Sequence, residues 1–417
     1  MSQPPSPPAS EDSTTALGQG LLQVVKTLFL LYVFLVGIHT VGEGFKLLSR
    51  DFVDGFFAAT RNPFIGLMVG IVSTSIVQSS SVTTSLIVGL VAAPDYPLPL
   101  AHAIPMVMGA NFGTTVTNTV VALAHIRDRE EFHRAFSVST CDDFFNFFAV
   151  LIILPIEIAT GLLARTATSL AKFFHDRAGI DLHSPLEPLL HGATHAIQTL
   201  TSRVTNTTEL QGILLILASG VLVFFALINL VRTLRKSAGS KVSKMITRAL
   251  DQPALIAMGL GFIATAIVQS SSITTSLLVP LAGAGLITLT QAFPIVLGAN
   301  AGTTVTALLA ATAASGHHAG AGLAIALVHC LFNCCGIVLI YPWQRIRAIP
   351  LWCSHRLADI GVRSAPTAIA YVLLLFYGIP ALFAALHHLG NEGILPESLP
   401  LQEARLPPFG FVVPEHS

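Results

Sequence analysis

Gln78-Ser79-Ser80-Ser81 is a polar string set in apolar sequence, and Gln269-Ser270-Ser271-Ser272 repeats it. The flanks repeat as well: GIVSTSIVQSSSVTTSLIVGL from Gly70 returns as GFIATAIVQSSSITTSLLVPL from Gly261. A second string follows each copy, GANFGTTVT from Gly109 and GANAGTTVT from Gly298. A third then matches, DFFNFFAVLIILP ending at Pro155 against CLFNCCGIVLIYP ending at Pro342. Matched blocks in one order mark a duplicated unit. Hydroxyl and amide groups deep in apolar segments are costly unless something polar meets them there, so function is to be sought at these strings.

The chain has 417 residues, 53% hydrophobic and 11% charged, with mean hydropathy +0.72. Soluble domains carry about a quarter charged residues, and about 20 apolar residues suffice for one membrane crossing. Apolar runs of that length recur, so the chain reads as an all-α polytopic membrane protein with the lipid bilayer as its surroundings. Formal net charge is zero, which gives no support to a nucleic-acid partner. The cysteines (Cys141, Cys330, Cys334, Cys335, Cys353) form no CxxC pair and read as small core residues.

Residues 1–18 are rich in Pro, Ser and Thr and carry no basic residue, which predicts a disordered tail rather than a signal peptide. The first repeat is expected over 19–165 and the second over 211–345, with a polar connector, 166–210, between them. A basic loop and final membrane helix (346–390) and a C-terminal tail (391–417) follow. Within each repeat the segment carrying QSSS (about 64–91 and 254–281) is long enough to span, yet polar in its middle. That density of hydroxyls predicts a re-entrant hairpin of two half-helices meeting at the QSSS turn. The GANxGTT string predicts a break in the next helix of each repeat.

If each hairpin enters and leaves on one side, each repeat crosses three times, and the second copy is inverted relative to the first. With the N-terminus inside, the inside loops collect Arg127, Arg129, Arg134, Arg232, Arg235, Lys236, Lys241, Lys244, Arg248, Arg345, Arg347, Arg356 and Arg363. The positive-inside rule favours that orientation. The two QSSS turns then converge near the midplane, and the C-terminus lies outside.

Half-helix N-termini present free N–H groups and the positive end of the helix dipole, which suits an anion. The hydroxyls of Ser79, Ser80, Ser81, Thr83, Thr84, Ser270, Ser271, Ser272, Thr274 and Thr275, with the amides of Gln78 and Gln269, add donors. Oxygens of Asn111, Thr114, Thr115, Asn300, Thr303 and Thr304 suit a hard cation such as Na⁺. Neither hairpin holds lysine or arginine, so an anion bound there needs co-bound cations for charge compensation. Small and hydroxyl residues also serve simply to let helices pack closely, but that does not account for two such strings duplicated in order. Asp143, at the head of a membrane span, is a candidate cation ligand; Cys330 takes its place in the second copy. Asp142 beside it is the weaker candidate, because a carboxylate there can sit at the water interface. Asp128 lies in a charged loop and reads as solvated. Histidines such as His175, His183, His191, His195, His317 and His318 fall in loops and form no metal-ligand pattern.

At these residues the chain resembles the type II sodium-phosphate cotransporter family: the paired QSSS hairpins, the string from Met108 to Leu123, and DFFN at Asp143 to Asn146. The resemblance covers about residues 20–345. It implies sodium-driven uptake of inorganic phosphate by alternating access, with substrate between the QSSS regions and no cofactor beyond co-transported Na⁺. It further implies that an aspartate at Asp143 marks electrogenic members, and that Thr119, Asp128 and Asn146 fall near the family's sodium sites. His125 stands where relatives often carry glutamine. The connector holds no cysteine for the disulfide of animal members, and both tails are short, which points to a compact, bacterial-type member. The implied location is the plasma membrane, or the inner membrane in a bacterium, and a homodimer is among the assemblies to expect. The hydroxyls and helix ends do not name the anion, so another oxyanion or a small carboxylate stays open as substrate. An enzyme is disfavoured, because no nucleophile–base set lies at membrane depth.

Overall fold

The computed structural model describes residues 11–178, 187–313 and 319–391, and all secondary structure in them is helical. In the first repeat these are α1 (Glu11–Lys46), α2 (Arg50–Thr60), α3 (Pro63–Val77), α4 (Ser80–Val91), α5 (Leu100–Gly113), α6 (Val116–Leu123) and α7 (Arg129–Thr160). Between the repeats lie α8 (Leu162–Ala178) and α9 (Glu187–Val204). The second repeat holds α10 (Thr208–Ala249), α11 (Ala254–Val268), α12 (Ser271–Ser276), α13 (Leu278–Gly283), α14 (Leu289–Ala311) and α15 (Ala319–Ile340). The chain continues through α16 (Gln344–Arg363), α17 (Ala365–Leu373), a π-helical turn over Leu374–Gly378, and α18 (Ile379–Asn391).

Among the described residues, six helices are long and apolar enough to cross a membrane: Leu21–Lys46, Arg129–Thr160, Thr208–Lys236, Leu289–Ala311, Ala319–Ile340 and Pro366–His387. The helices carrying the serine strings are shorter. Their starts are written locally. Asn62 caps α3 by accepting from the Phe64 N–H at 3.0 Å, with Pro63 as first helical residue. Thr288 and Gln291 form a reciprocal capping box at the head of α14.

The duplication is repeated in the packing. In each copy the arm before the serine string lies against the GANxGTT helix with glycines at the contact. A Cβ on Gly109 would collide with the Leu67 carbonyl oxygen, and one on Gly298 with the carbonyl oxygen of Met258, the matching residue. Gly70 faces the Met106 carbonyl as Gly261 faces that of Ile295. Such approach is open only to residues without a side chain. The leading helices of the two copies, α1 and α10, pack on each other at Gly37 and Gly44, opposite Val223 and Ile216.

Several expectations need correction. The first GANxGTT helix is interrupted, at Thr114–Thr115 between α5 and α6, but α14 runs through the second without a break. Within the string the copies differ only at Phe112 and Ala301. Alanine favours helix over phenylalanine by several tenths of a kcal/mol, and the Phe112 ring is drawn to Phe376, 5.7 Å away. The polar connector is largely helix, α8 and α9, with His175 on α8 and His191 and His195 on α9 rather than in loops. Helix α1 begins at Glu11, inside the expected tail. Cys141 is buried, whereas Cys334 is exposed and so is not a core residue. His183, His317, His318 and the tail after Asn391 lie outside the described residues.

Candidate functional site

Each serine string begins where a helix is stopped by a glutamine in the left-handed region. Gln78 (φ 55°) and Gln269 (φ 56°) are the only non-glycine residues with positive φ among those described. The backbone N–H of each still donates to a threonine carbonyl one turn back, Thr74 and Thr265, at 2.6 Å. The next residues, Ser79 and Ser270, are extended, and new helices start at Ser80 and Ser271. Holding a side-chain-bearing residue at positive φ costs on the order of 1 kcal/mol or more, and such outliers gather at functional sites.

The two breaks meet through Thr306 of α14. Ser81 donates to the Thr306 hydroxyl at 3.5 Å, and Thr306 donates to the Gln269 side-chain carbonyl at 2.8 Å. Gln269 is buried, with its amide N–H on the Ala266 carbonyl at 2.6 Å. Across its break Thr265 donates to Thr274 at 2.8 Å. Thr275 and Ser276 both donate to Asn118 of α6, at 2.9 and 3.2 Å. Around the first break Ser80, Ser81, Thr83 and Thr84 are buried, while Gln78 is exposed. Ser79 caps α4, accepting from Val82 N–H at 3.3 Å; Ser270 makes no such cap. Ser271 is buried, and Ser270 and Ser272 are half-buried.

A second polar group lies in the core. Asp142 is buried and accepts from Asn146 at 2.9 Å and from Asn300 at 2.6 Å. Asn111 donates to Asn333 at 2.9 Å and to Asn146 at 3.5 Å, and its carbonyl oxygen meets His329 Nε2 at 3.2 Å. One network therefore ties α5 and α7 of the first repeat to α14 and α15 of the second. It follows the duplication: Asn111 matches Asn300, Asn146 matches Asn333, and Asp142 matches His329. The Asn300–Asp142 contact is thus the counterpart of Asn111–His329.

Thr114, Thr115, Thr119, Thr303 and Thr304 are all buried, and each donates to a carbonyl of its own helix. A hydroxyl used that way keeps lone pairs free for a cation. Asp143 is buried beside them. Its Oδ2 accepts from Tyr371 at 2.8 Å, and its Oδ1 has no hydrogen-bond partner among the described residues. Asp128 stands apart, capping α7 through the N–H groups of Glu130 and Glu131 at 2.9 and 3.0 Å. Asn146 is 18 residues further along that helix, or roughly 27 Å at 1.5 Å per residue, so Asp128 and Asn146 do not share a site.

Sequence reasoning did not single out Thr306, Asn118, His329 and Asn333, and it ranked Asp142, which is buried in this network, below Asp143. Each missed residue lies inside or beside a duplicated string, so position within the repeat was the available signal. Helix α7 starts at Arg129, which sets Asp142 about 20 Å from the helix start, with its side chain buried rather than exposed.

Paired broken helices around a buried polar core, with six membrane-length helices among the described residues, define a polytopic helical membrane protein built from two like units. The sequence pattern of the Na⁺/Pi-cotransporter family matches residues 33–173 and 222–351, one match in each unit, and the chain belongs to that family. It is 31% identical to the human sodium-dependent phosphate transport protein 2B, over 87% of this chain and 65% of that protein. It is 32% identical to the rat sodium-dependent phosphate transport protein 2A, over 94% of this chain and 72% of that one. The chain thus spans 65% of the length of the human relative. No solved structure matches it.

Proposed function

We propose that this protein is a secondary transporter that takes up inorganic phosphate with sodium, by alternating access, across the plasma membrane or a bacterial inner membrane. The observation that carries the reading is the Thr306 hydroxyl, which touches Ser81 of one serine string and Gln269 of the other. Donors from both repeats therefore converge on one small volume. Phosphate is assigned to the two strings, Gln78 to Ser81 and Gln269 to Ser272, where hydroxyls and the first-turn N–H groups of α4 can meet its oxygens. Sodium is assigned to the oxygens of Asn111, Thr114, Thr115, Thr119, Asp143, Asn146, Asn300, Thr303 and Thr304. No lysine or arginine lies in either string, so the anion relies on co-bound sodium for charge balance, and that interdependence is the source of coupling. The proposed repeats are inverted, with both hairpins re-entrant and the N-terminus inside; the Lys and Arg bias between the segments that connect the apolar spans supports this. A cysteine placed at Ser240 should then be reachable from the cytoplasm, and one at Ser184, which lies outside the described residues, from the other side.

Proteoliposomes holding the purified protein should accumulate phosphate when an inward sodium gradient is imposed and not when potassium replaces sodium. Equal uptake in both conditions would refute sodium coupling. Another oxyanion or a small carboxylate is the second reading, because neutral donors do not select one anion. Competition by arsenate, sulfate and succinate decides it: inhibition by arsenate alone supports phosphate.

A further inference from the structure

The final membrane helix has no counterpart in the duplication, yet it is fastened to the first repeat by its aromatic residues. Tyr371 donates to Asp143 Oδ2 at 2.8 Å. The buried Phe376 ring lies 5.7 Å from Phe112, beside the break between α5 and α6. Tyr377 donates to the Ser75 carbonyl, one turn before Gln78, at 3.3 Å. Phe383 stacks on Phe64 at the head of α3, 6.2 Å away. Phe376 and Tyr377 themselves lie in the π-helical turn Leu374–Gly378, which follows Tyr371 along the helix. Such turns add a residue to the helical repeat, re-aim side chains, and recur at functional sites.

Asp143 makes no ion pair with a lysine, arginine or histidine among the described residues, and one of its oxygens is unpartnered. A buried carboxylate in that condition is stabilised by whatever reaches it first, a hydrogen-bond donor or a cation. We infer that Tyr371 is a positioning residue for sodium at Asp143: its phenol O–H steadies the empty carboxylate and thereby weakens sodium binding, so that the ion can leave. This rests on the assignment of Asp143 to a sodium site. The sign follows from linkage. A donor that stabilises the cation-free carboxylate, and draws off its charge when the cation is present, must lower cation affinity. If the phenol oxygen instead formed part of the ion's shell, the sign would be opposite. The contacts of Phe376, Tyr377 and Phe383 hold this helix against the first repeat and so keep Tyr371 at Asp143.

The experiment measures phosphate uptake against sodium concentration, together with sodium-dependent thermal stabilisation of the detergent-purified protein, which reads binding without transport. Tyr371→Phe should lower the sodium concentration for half-maximal effect by about 3- to 10-fold in both assays, the scale of one ordinary net hydrogen bond. Half-saturation by phosphate at saturating sodium should not change. In Asp143→Asn, adding Tyr371→Phe should have no further effect on sodium dependence, because the two residues act as one unit. Tyr371→Met also removes the hydroxyl and carries the same expectation should the phenylalanine variant fail to insert. Weaker sodium binding in these variants would overturn the inference by placing the phenol in the ion's shell. Unchanged sodium affinity with lowered stability would overturn it by leaving Tyr371 a structural contact. If Asp143→Asn alone leaves sodium dependence as in the parent, the sodium assignment itself has failed. A shift in Asp143→Asn without one in Tyr371→Phe fails only the tyrosine.

Discussion

The two glutamines at the broken helices have the same backbone and different surroundings. Gln269 is buried and turns its amide back to the Ala266 carbonyl at 2.6 Å, while its own carbonyl oxygen takes the Thr306 hydroxyl. Gln78 is exposed. The carbonyl equivalent to that of Ala266 is that of Ser75, and Tyr377 of the unduplicated last helix already donates to it. The outlying helix thus occupies the place that the first glutamine would otherwise take. The threonines follow the same division. Thr265 bonds Thr274 across the second break, whereas the matching Thr74 hydroxyl is buried without a partner among the described residues. Two near-identical strings give one braced break and one looser break, and the looser one is bonded by Tyr377 from outside the repeats.

The largest effect should come where the copies agree. Gly109→Val and Gly298→Val each force a side chain onto a backbone carbonyl that cannot move aside, costing about 3 kcal/mol or more. Both should sharply reduce the yield of monodisperse protein on size exclusion, and tolerance of one alone would show that the close helix approach is not duplicated. Gln78→Ala and Gln269→Ala should both abolish sodium-driven phosphate uptake. Only Gln269→Ala should also lower thermal stability, by about 1–3 kcal/mol for the partners left unsatisfied. Equal stability losses would erase the distinction between braced and loose breaks.

Asp143→Asn tests a different asymmetry, since Cys330 holds the matching place. An additional cation at the carboxylate would let the membrane potential contribute about 2.3 kcal/mol per charge per 100 mV. The variant should keep measurable uptake but lose the phosphate-evoked current recorded in the same cells. Current still proportional to uptake would remove the carboxylate from charge movement. The smallest effect is expected from Thr265→Val, about 1 kcal/mol for one hydrogen bond. Thr74→Val, at a hydroxyl without a partner, should be close to neutral in the same thermal melts.

What the sequence by itself determined is everything carried by short strings: the membrane class, the duplication, the QSSS strings as breaks between helices, and the polar residues that fill the core. These are local matters of hydropathy, helix breaking and spacing, and the strings state them twice. Tertiary structure alone decided which polar groups meet, because the deciding contacts join residues far apart in the chain. Asp142 meets Asn300, Ser81 meets Thr306, and Tyr371 meets Asp143. No periodicity announces such pairs. Nor could the strings reveal that α14 runs unbroken where α5 stops, since that turned on Ala301 against Phe112 and on the ring of Phe376 that packs beside Phe112. Symmetry was written in the repeat, and asymmetry entered through a few exchanged residues and through the last membrane helix, which has no counterpart in it.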